Sequence, residues 1–131
     1  RWFHYLHIVC GDRTVLCRRE GRDIWQGLWE FPMIETDGAA DFAALSRTEA
    51  FRAWTGAGEW RLVRSVVMPP HRLSHQALHA VFHRIETAAF APAARCGAVP
   101  VGHLGDYAVP RLVERYLERA DDGASADQRS R

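Results

Sequence analysis

The chain has 131 residues, of which 17 are basic and 16 acidic, so its formal net charge is +1. A hydrophobic fraction of 47%, with five Trp, six Phe and three Tyr, is enough for one core of ordinary size and excludes a wholly disordered chain. No apolar run approaches the roughly 18 to 20 residues that a membrane-spanning helix needs, so no membrane partner is expected.

The three cysteines are Cys10, Cys17 and Cys96, and none lies in a Cys-x-x-Cys pair. Their odd number and wide spacing predict free thiols rather than a disulfide framework, and therefore a reducing, cytoplasmic setting. The chain begins at Arg1, and strand-like sequence follows immediately. We therefore expect it to be part of a longer intracellular polypeptide.

The first part of the chain predicts a β-hairpin. Bulky residues alternate from Trp2 to Val9, a Gly-Asp-Arg turn follows, and a second run covers Thr14 to Arg19. A short strand is expected over residues 29–31, and Pro32 closes it.

A helix is predicted in the middle of the chain. Ser46 and Glu49 have the spacing of a capping box, and Gly56 lies where a helix would end. The expected helix covers residues 47–55, and the apolar pattern after it predicts a strand over residues 60–67.

Histidines recur every four residues after this strand, at His71, His75, His79 and His83. The spacing fits one face of a helix and equally one face of a strand. We predict a strand over residues 73–85, because Val81, Phe82 and Ile85 favour β-structure and two prolines precede it. Along a strand, successive histidines lie about 13 Å apart, too far to share one metal ion, so no metal site is expected.

The last part of the chain predicts a turn-like stretch over residues 88–97 and a final helix that Pro110 opens. These elements form one α+β domain over residues 1–119. Residues 120–131 are a polar tail that we expect to be disordered.

Charge is distributed unevenly along the chain. No acidic residue lies between Glu59 and Glu86, whereas this segment contains four histidines and four arginines. The arginines are Arg61, Arg64, Arg72 and Arg84. An electropositive face of this kind attracts phosphate and predicts salt-dependent binding to nucleic acid. An ordinary solvated strand face is the alternative interpretation.

A stiff loop precedes the histidine-rich strand. Pro69 and Pro70 restrict the backbone, so Ser74 and His75 can be presented to a ligand with little entropy left to lose. A hydroxyl and a neutral imidazole each donate and accept hydrogen bonds, which suits the edge of a base. In a regular strand the two side chains point to opposite faces, so both reach one ligand only at a strand end or in a turn. A histidine satisfied inside the sheet is the alternative for His75.

Three motifs in order give the chain a family resemblance. They are RREGRDIWQGLWEFP at residues 18–32, Leu-Ser-His at residues 73–75 and Tyr-Ala-Val-Pro at residues 107–110. Over almost the whole chain, they resemble the C-terminal domain of MutY-type adenine DNA glycosylases. The Trp-Glu-Phe-Pro run is also similar to the related Nudix hydrolases. The resemblance implies a Nudix-like fold, in which helices flank a mixed β-sheet.

The carboxylates of the Nudix box are missing from this sequence. The box needs an Arg-Glu pair and then a Glu-Glu pair just before a glycine, and its carboxylates hold Mg²⁺ on a pyrophosphate. With Gly56 as that glycine, Glu49-Ala50 and Ala53-Trp54 occupy the two positions. Met33 also replaces the glycine expected after Pro32. We therefore expect a Nudix-like fold without hydrolytic chemistry, with no catalytic residue, metal or cofactor in this chain.

The resemblance to the glycosylases implies a role in base excision repair. In that family this domain reads 8-oxoguanine opposite a mispaired adenine in duplex DNA. A separate catalytic domain of the same polypeptide, which carries an iron–sulfur cluster, removes the adenine by hydrolysing its N-glycosyl bond.

The lesion-reading loop of the family usually runs Phe-Ser-His, and Leu73, Ser74 and His75 match it here, with Leu in place of the aromatic residue. Oxidation at C8 turns guanine N7 from an acceptor into an N–H donor, so a rigidly held Ser74 hydroxyl can accept from the lesion, and His75 suits the exocyclic amine. The resemblance thus implies DNA contacts at His71, Arg72, Leu73, Ser74, His75 and Gln76.

Three further arginines, Arg18, Arg19 and Arg22, are candidates for contacts to backbone phosphates, which position a protein on DNA without specifying sequence. Solvated surface charges are the alternative for each of them. We interpret the nearby aromatic residues Trp25, Trp29 and Phe31 as part of the core rather than as base-stacking platforms.

Two other functions stay open on the sequence. The first is a free-standing Nudix-type nucleotide pyrophosphatase, which the Trp-Glu-Phe-Pro run favours and the missing carboxylates oppose. The second is a non-catalytic module of the same fold that binds a nucleotide or a protein.

Overall fold

A mixed β-sheet organises the part of the chain that the structure describes. The computed structural model describes residues 1–56, 58–89 and 95–119, so the predicted tail over residues 120–131 lies outside the described residues. The strands are β1 (Trp2–Cys10), β2 (Arg13–Arg18), β3 (Trp29–Glu30), β4 (Met33–Thr36), β5 (Trp60–Val67), β6 (His71–Arg72), β7 (Ala77–Thr87) and β8 (Cys96–Pro100). The helices are α1 (Phe42–Ser46), α2 (Glu49–Thr55), a 3-10 helix (Val101–Asp106) and α3 over residues 111–119.

β1 lies at the centre of the sheet, whose main strand order is β3-β2-β1-β7-β5. It runs parallel to β7, from Trp2 opposite His79 to Val9 opposite Glu86. Along its other edge, β1 pairs antiparallel with β4 and then with β2. β8 pairs with β2, and β6 pairs with β7. Parallel and antiparallel ladders therefore occur in one sheet, as the predicted α+β class with a mixed sheet requires.

β1 and β2 form the predicted hairpin. Cys10 lies opposite Arg13, so Gly11 and Asp12 make the turn between the strands. Gly11 has a φ of 63°, in the left-handed region that two-residue hairpin turns use and that glycine adopts without steric cost.

The helix predicted over residues 47–55 is present as α2, and a second short helix that was not predicted, α1, precedes it. Asp41 precedes α1, and its carboxylate accepts a hydrogen bond from the Ala44 amide at 2.8 Å. Thr48 precedes α2, and its hydroxyl accepts from the Phe51 amide at 3.2 Å. The predicted capping box is wrong, because Ser46 ends α1 and Thr48 is the residue that caps α2. The predicted helix end at Gly56 is confirmed.

Two strands lie where the sequence predicted other structure. Pro32 was expected to close a strand, but its carbonyl accepts from the Leu6 amide at 2.8 Å, so the chain stays on the sheet and continues as β4. β8 takes up the end of the stretch over residues 88–97 that was predicted to be turn-like, because β2 offers it a strand to pair with. The strand predicted over residues 73–85 is confirmed from Ala77 onward as β7, whereas residues 73–76 form a turn before it.

The sheet is packed on both faces. On one face, Phe82 stacks between Tyr5 and Tyr116, with ring centroids 4.6 Å and 4.1 Å apart. We call this side, where α3 contributes Leu112, Val113 and Tyr116 to the main core, the α3 face. The smaller core on the other side, the α1/α2 face, contains Leu6, Ile8, Ile34, Leu45, Phe51 and Ile85. No helix in the described ranges is both long enough and apolar enough to cross a membrane.

The cysteines do not all stay free. Cys17 of β2 lies directly opposite Cys96 of β8, and the two form a disulfide across a sequence separation of 79 residues. The prediction of three free thiols is therefore wrong for this pair, because strand register and not sequence spacing brings them together. Cys10 is free, and its thiol donates to the Ala88 carbonyl at 3.1 Å.

A chain of hydrogen-bonded polar side chains, with His4 and His83 buried and Ser65 at its exposed end, lies on the α1/α2 face. His4 Nδ1 lies 3.0 Å from His83 Nε2, and His83 Nδ1 lies 2.7 Å from the Ser65 hydroxyl. Burial lowers the pKa of His83 to about 4, and the neighbouring His4 contributes to this shift. Burial also lowers the pKa of His4. Both imidazoles are therefore neutral at pH 7 and serve as hydrogen-bonding groups within the sheet.

We expect the folded protein to lose stability as the pH falls from about 6.5 to about 4, partly through His83. An imidazole whose pKa is lowered by folding binds more protons in the unfolded chain, so acid favours unfolding in this window and has no further effect below the folded pKa. His83→Gln should reduce the loss of unfolding free energy between pH 7 and pH 4 by roughly 3 kcal/mol. Urea denaturation at several pH values measures this, and His103→Gln, which changes an exposed histidine, is the control. Equal pH dependence of wild type and His83→Gln would contradict the assignment.

Candidate functional site

A tight hairpin presents the Leu-Ser-His motif. In the ladder between β6 and β7, His71 lies opposite Leu78 and Arg72 lies opposite Ala77. The Leu73 amide then donates to the Gln76 carbonyl at 2.8 Å, which leaves Ser74 and His75 at the tip. Both tip residues are exposed. Ser74 and His75 therefore lie in a turn and not in a regular strand, which is the condition for both side chains to reach one ligand.

The base of this hairpin is anchored to the domain. Met68, at the start of the diproline segment, is buried, and its amide donates to the Ala80 carbonyl at 3.0 Å. His71 packs edge to face on Trp25, with ring centroids 5.8 Å apart. Leu73 is half-buried and packs against the main core. The tip is thus carried by a base that packing holds in place.

The predicted contact residues divide into two groups at this hairpin. Arg72, Ser74, His75 and Gln76 are exposed, so a ligand can reach them. Leu73 directs part of its side chain to the core, and His71 is half-buried against Trp25. The exposed group combines a hydroxyl, an imidazole, an amide and a guanidinium, which together offer both donors and acceptors to a polar ligand.

The aromatic residues of the 18–32 segment belong to the core, as predicted. Phe31 is fully buried, and Trp25 and Trp29 are partly buried against the main core. Trp25 packs edge to face on Phe3 at 6.4 Å, and Trp29 does so on Tyr107 at 5.4 Å. This segment anchors the loop that carries the candidate phosphate-binding arginines.

One of those arginines is fully engaged within the protein. Arg19 donates to both carboxylate oxygens of Glu30, at 3.0 and 3.3 Å, to Asp23 at 2.8 Å and to the Ile24 carbonyl at 3.0 Å. Its side chain is 11% exposed and that of Glu30 is 6% exposed. Each of the three guanidinium nitrogens donates within the protein, and the side chain is mostly buried, so Arg19 holds the loop together rather than binding a phosphate. Arg18 and Arg22 are exposed.

Arg1 extends the same network, a role that the sequence analysis did not predict. Its guanidinium pairs with both oxygens of Asp23 at 2.9 Å and with Glu35 at 2.9 and 3.0 Å. The hydrogen bond from Arg1 lowers the pKa of the Asp23 carboxyl well below its usual range. In contrast, burial raises the pKa of Glu30, against the opposing effect of the Arg19 charge. The mixture of three arginines with Glu20 and Asp23 in residues 18–23 was the local signal of such a network.

The structure places the residues of the Nudix box register on α2. In that register, Ala50, Ala53 and Trp54 stand where carboxylates would hold Mg²⁺, and Trp54 packs partly buried against the smaller core. Methyl groups and an indole offer no oxygen ligand. These residues do not fit the metal of the Nudix reaction.

Comparison with protein families gives the class of the domain. Residues 4–119 match the family model of the NUDIX domain. The chain therefore belongs to the Nudix domain family. No curated protein matches the chain.

Solved structures with this fold differ in function. Over 95% of this chain and 89% of the other, the structure resembles the C-terminal domain of mouse MUTYH in complex with human PCNA, with 15% identity and a TM-score of 0.67. It also resembles the Nudix hydrolase RenU of M. Smegmatis, over 95% and 86% of the two chains, with 13% identity and a TM-score of 0.65. The NUDIX domain of Shewanella oneidensis NrtR, in complex with ADP ribose, matches over 94% and 87% with 11% identity and a TM-score of 0.64. At these identities the likeness establishes the Nudix fold that the sequence predicted.

We expect Arg19→Ala to destabilise the domain by about 3 to 5 kcal/mol, because it leaves the Glu30 carboxylate buried without its cation. Adding Glu30→Gln to this variant should recover part of the loss, since the uncompensated charge is then removed. Arg22→Ala is the matched control, and its unfolding free energy should stay within about 0.5 kcal/mol of wild type. Urea denaturation measures all four proteins, and equal effects of the two arginine variants would refute the structural role of Arg19.

Proposed function

We propose that this domain recognises 8-oxoguanine opposite adenine in duplex DNA. It would serve as the lesion-recognition part of an adenine DNA glycosylase whose catalytic domain, with its iron–sulfur cluster, lies elsewhere in the polypeptide. The observation that carries the proposal is the position of Ser74 and His75 at the exposed tip of an anchored hairpin. The order of the three sequence motifs and the fold shared with the mouse MUTYH domain support it.

The hydroxyl of Ser74 gives the tip its proposed selectivity. In 8-oxoguanine, N7 carries a hydrogen, so Ser74 Oγ can accept from it, whereas N7 of normal guanine requires a donor. A hydroxyl can rotate to satisfy either base, so discrimination depends on a backbone that holds Ser74 in one place. The Leu73 to Gln76 hydrogen bond of 2.8 Å and the packing of Leu73 on the core supply that restraint. His75 would bind the exocyclic amine of the lesion.

Three exposed arginines are candidates for contacts to the DNA backbone. Arg72 is exposed directly beside the tip, and Arg18 and Arg22 are exposed on the 18–32 segment. Contacts from these side chains to phosphates would position the duplex without reading its sequence. Arg19 is left out of this interface because its guanidinium is bound to Glu30 and Asp23.

A nucleotide pyrophosphatase of the Nudix type is the second candidate, because RenU, a Nudix hydrolase, has the same fold. The residues of α2 oppose it, since Ala50, Ala53 and Trp54 supply no carboxylate. Phosphate or pyrophosphate release from nucleoside triphosphates in the presence of Mg²⁺ would favour this candidate. A non-catalytic nucleotide- or protein-binding module is the third, and equal affinity for damaged and undamaged duplexes would favour it.

We expect the chain to bind a duplex containing 8-oxoguanine:adenine more tightly than an otherwise identical guanine:adenine duplex. The double variant with Ser74→Ala and His75→Ala should lose this preference. One such base contact is worth about 1 to 3 kcal/mol, so the preference should fall about tenfold or more. Fluorescence anisotropy at fixed salt measures both affinities.

Two controls separate recognition from folding. Ser74→Thr keeps the hydroxyl and should keep the preference, while His103→Ala removes an exposed histidine of the 3-10 helix and should have no effect. A preference that persists in the double variant would show that the hairpin tip does not read the lesion.

A further inference from the structure

Two arginines face each other on the α3 face of the sheet. Arg64 of β5 lies directly opposite Arg84 of β7 in the antiparallel ladder. Like charges in this position repel each other and destabilise a sheet. Both side chains are half-buried, and neither forms an ion pair with any carboxylate in the described ranges.

A β-bulge produces this arrangement. Leu62 lies opposite Ile85 and Arg64 lies opposite Arg84, so Val63 is an extra residue on β5. Without the extra residue, strand alternation would place Arg64 on the α1/α2 face. Bulges re-aim side chains in this way and are enriched beside functional sites. The irregularity therefore brings two positive charges together where a regular strand would separate them.

Both guanidinium groups have a donor without an acceptor. The Nε atoms of Arg64 and Arg84 are buried, and within the described residues they have no hydrogen-bond partner. Glu86, two residues further along β7, is paired with Arg61 at 2.6 Å. Buried donors are normally satisfied, and the described residues supply no acceptor for these two.

The neighbouring His7 and Tyr116 supply no negative charge that would compensate the two arginines. His7 of β1 lies opposite Arg84, and its Nδ1 lies 2.7 Å from the Tyr116 hydroxyl of α3. Burial, with the charges of Arg84 and Arg64, lowers the pKa of His7 to about 3, so the imidazole adds no negative charge and stays neutral.

We propose that Arg64 and Arg84 form a phosphate-binding site on the α3 face. Each guanidinium is a planar fork that can donate to two oxygens, and a phosphate with two negative charges would neutralise both arginines and accept hydrogen bonds from them. The phosphate could belong to a free phosphate or nucleotide, or to the backbone of DNA. At about 3.3 Å per residue along β7, the site lies more than 20 Å from the hairpin tip, so it is separate from the lesion reader.

Thermal unfolding with and without phosphate tests the site. At constant ionic strength set with chloride, phosphate at ten times its Kd should raise the Tm of the wild-type chain by about 3 °C or more. Arg64→Gln and Arg84→Gln should abolish this rise, while their Tm without phosphate equals or exceeds that of wild type, because the repulsion is gone. A purely structural role would instead lower the Tm of both variants.

A control variant and a second anion test whether the phosphate response is specific to Arg64 and Arg84. Arg52→Gln, which removes an exposed arginine of α2, should keep the phosphate response. No phosphate response in wild type, or the same response in both glutamine variants, would overturn the proposal. An equal rise with acetate would also overturn it, by assigning the site to carboxylates.

Duplex binding identifies the source of the phosphate. If the site binds the DNA backbone, Arg84→Gln should weaken binding to undamaged duplex and reduce its salt slope by about one. If it binds a free phosphate, duplex affinity should be unchanged while the phosphate response is lost. Ser74→Ala should leave the phosphate response intact, so failure of this site and failure of lesion reading are distinguishable.

Discussion

The parallel pairing of β1 with β7 is the constraint on which the rest of the domain depends. Parallel strands are usually buried on both faces, and here the pair supplies side chains to both cores and both halves of the buried histidine chain. The same pairing fixes where β7 begins, because the Arg1 carbonyl accepts from the His79 amide at 2.8 Å. The hairpin tip projects from the start of β7, so its position is determined by the pairing of β7 with β1 at the centre of the sheet.

Arginine plays two opposite roles around this central pair. Arg19 and Arg1 lie in dense ion-pair networks with Asp23, Glu30 and Glu35, where each charge compensates another. Arg64 and Arg84 lie beside each other, and in the described part of the chain neither forms an ion pair with a carboxylate. The formal net charge of +1 does not reveal this difference, because it counts the ion-paired arginines and the Arg64–Arg84 pair alike. Local arrangement, and not net charge, decides which arginines hold the fold and which can bind an anion.

Local signals in the sequence predicted the parts of the fold that depend on neighbouring residues. The β1–β2 hairpin follows from its glycine turn, and β7 follows from its β-branched and aromatic residues. The disulfide between Cys17 and Cys96, and β8 itself, depend on register between distant strands, which spacing does not encode.

The sequence also predicted only part of the candidate site. The sequence stated that Ser74 and His75 reach one ligand only in a turn or at a strand end, and the structure has them in a turn. It did not show that Arg19 pairs with Glu30, nor that a bulge at Val63 turns Arg64 towards Arg84. Each of these depends on a partner far along the chain or on one inserted residue. The role of the loop came from family resemblance, and the geometry adds the turn that such a role requires.

The bulge in β5 has a second consequence, for contacts between molecules. β5 is the last strand of the main order, and it carries exposed Val63 and Val67, the latter 69% exposed. A regular, apolar edge strand is a template on which another copy can add a strand. The extra residue at Val63 breaks the regular spacing of that edge, and the nearby arginines add charge repulsion between copies. The bulge that places Arg64 opposite Arg84 therefore also disfavours edge-to-edge aggregation of the domain.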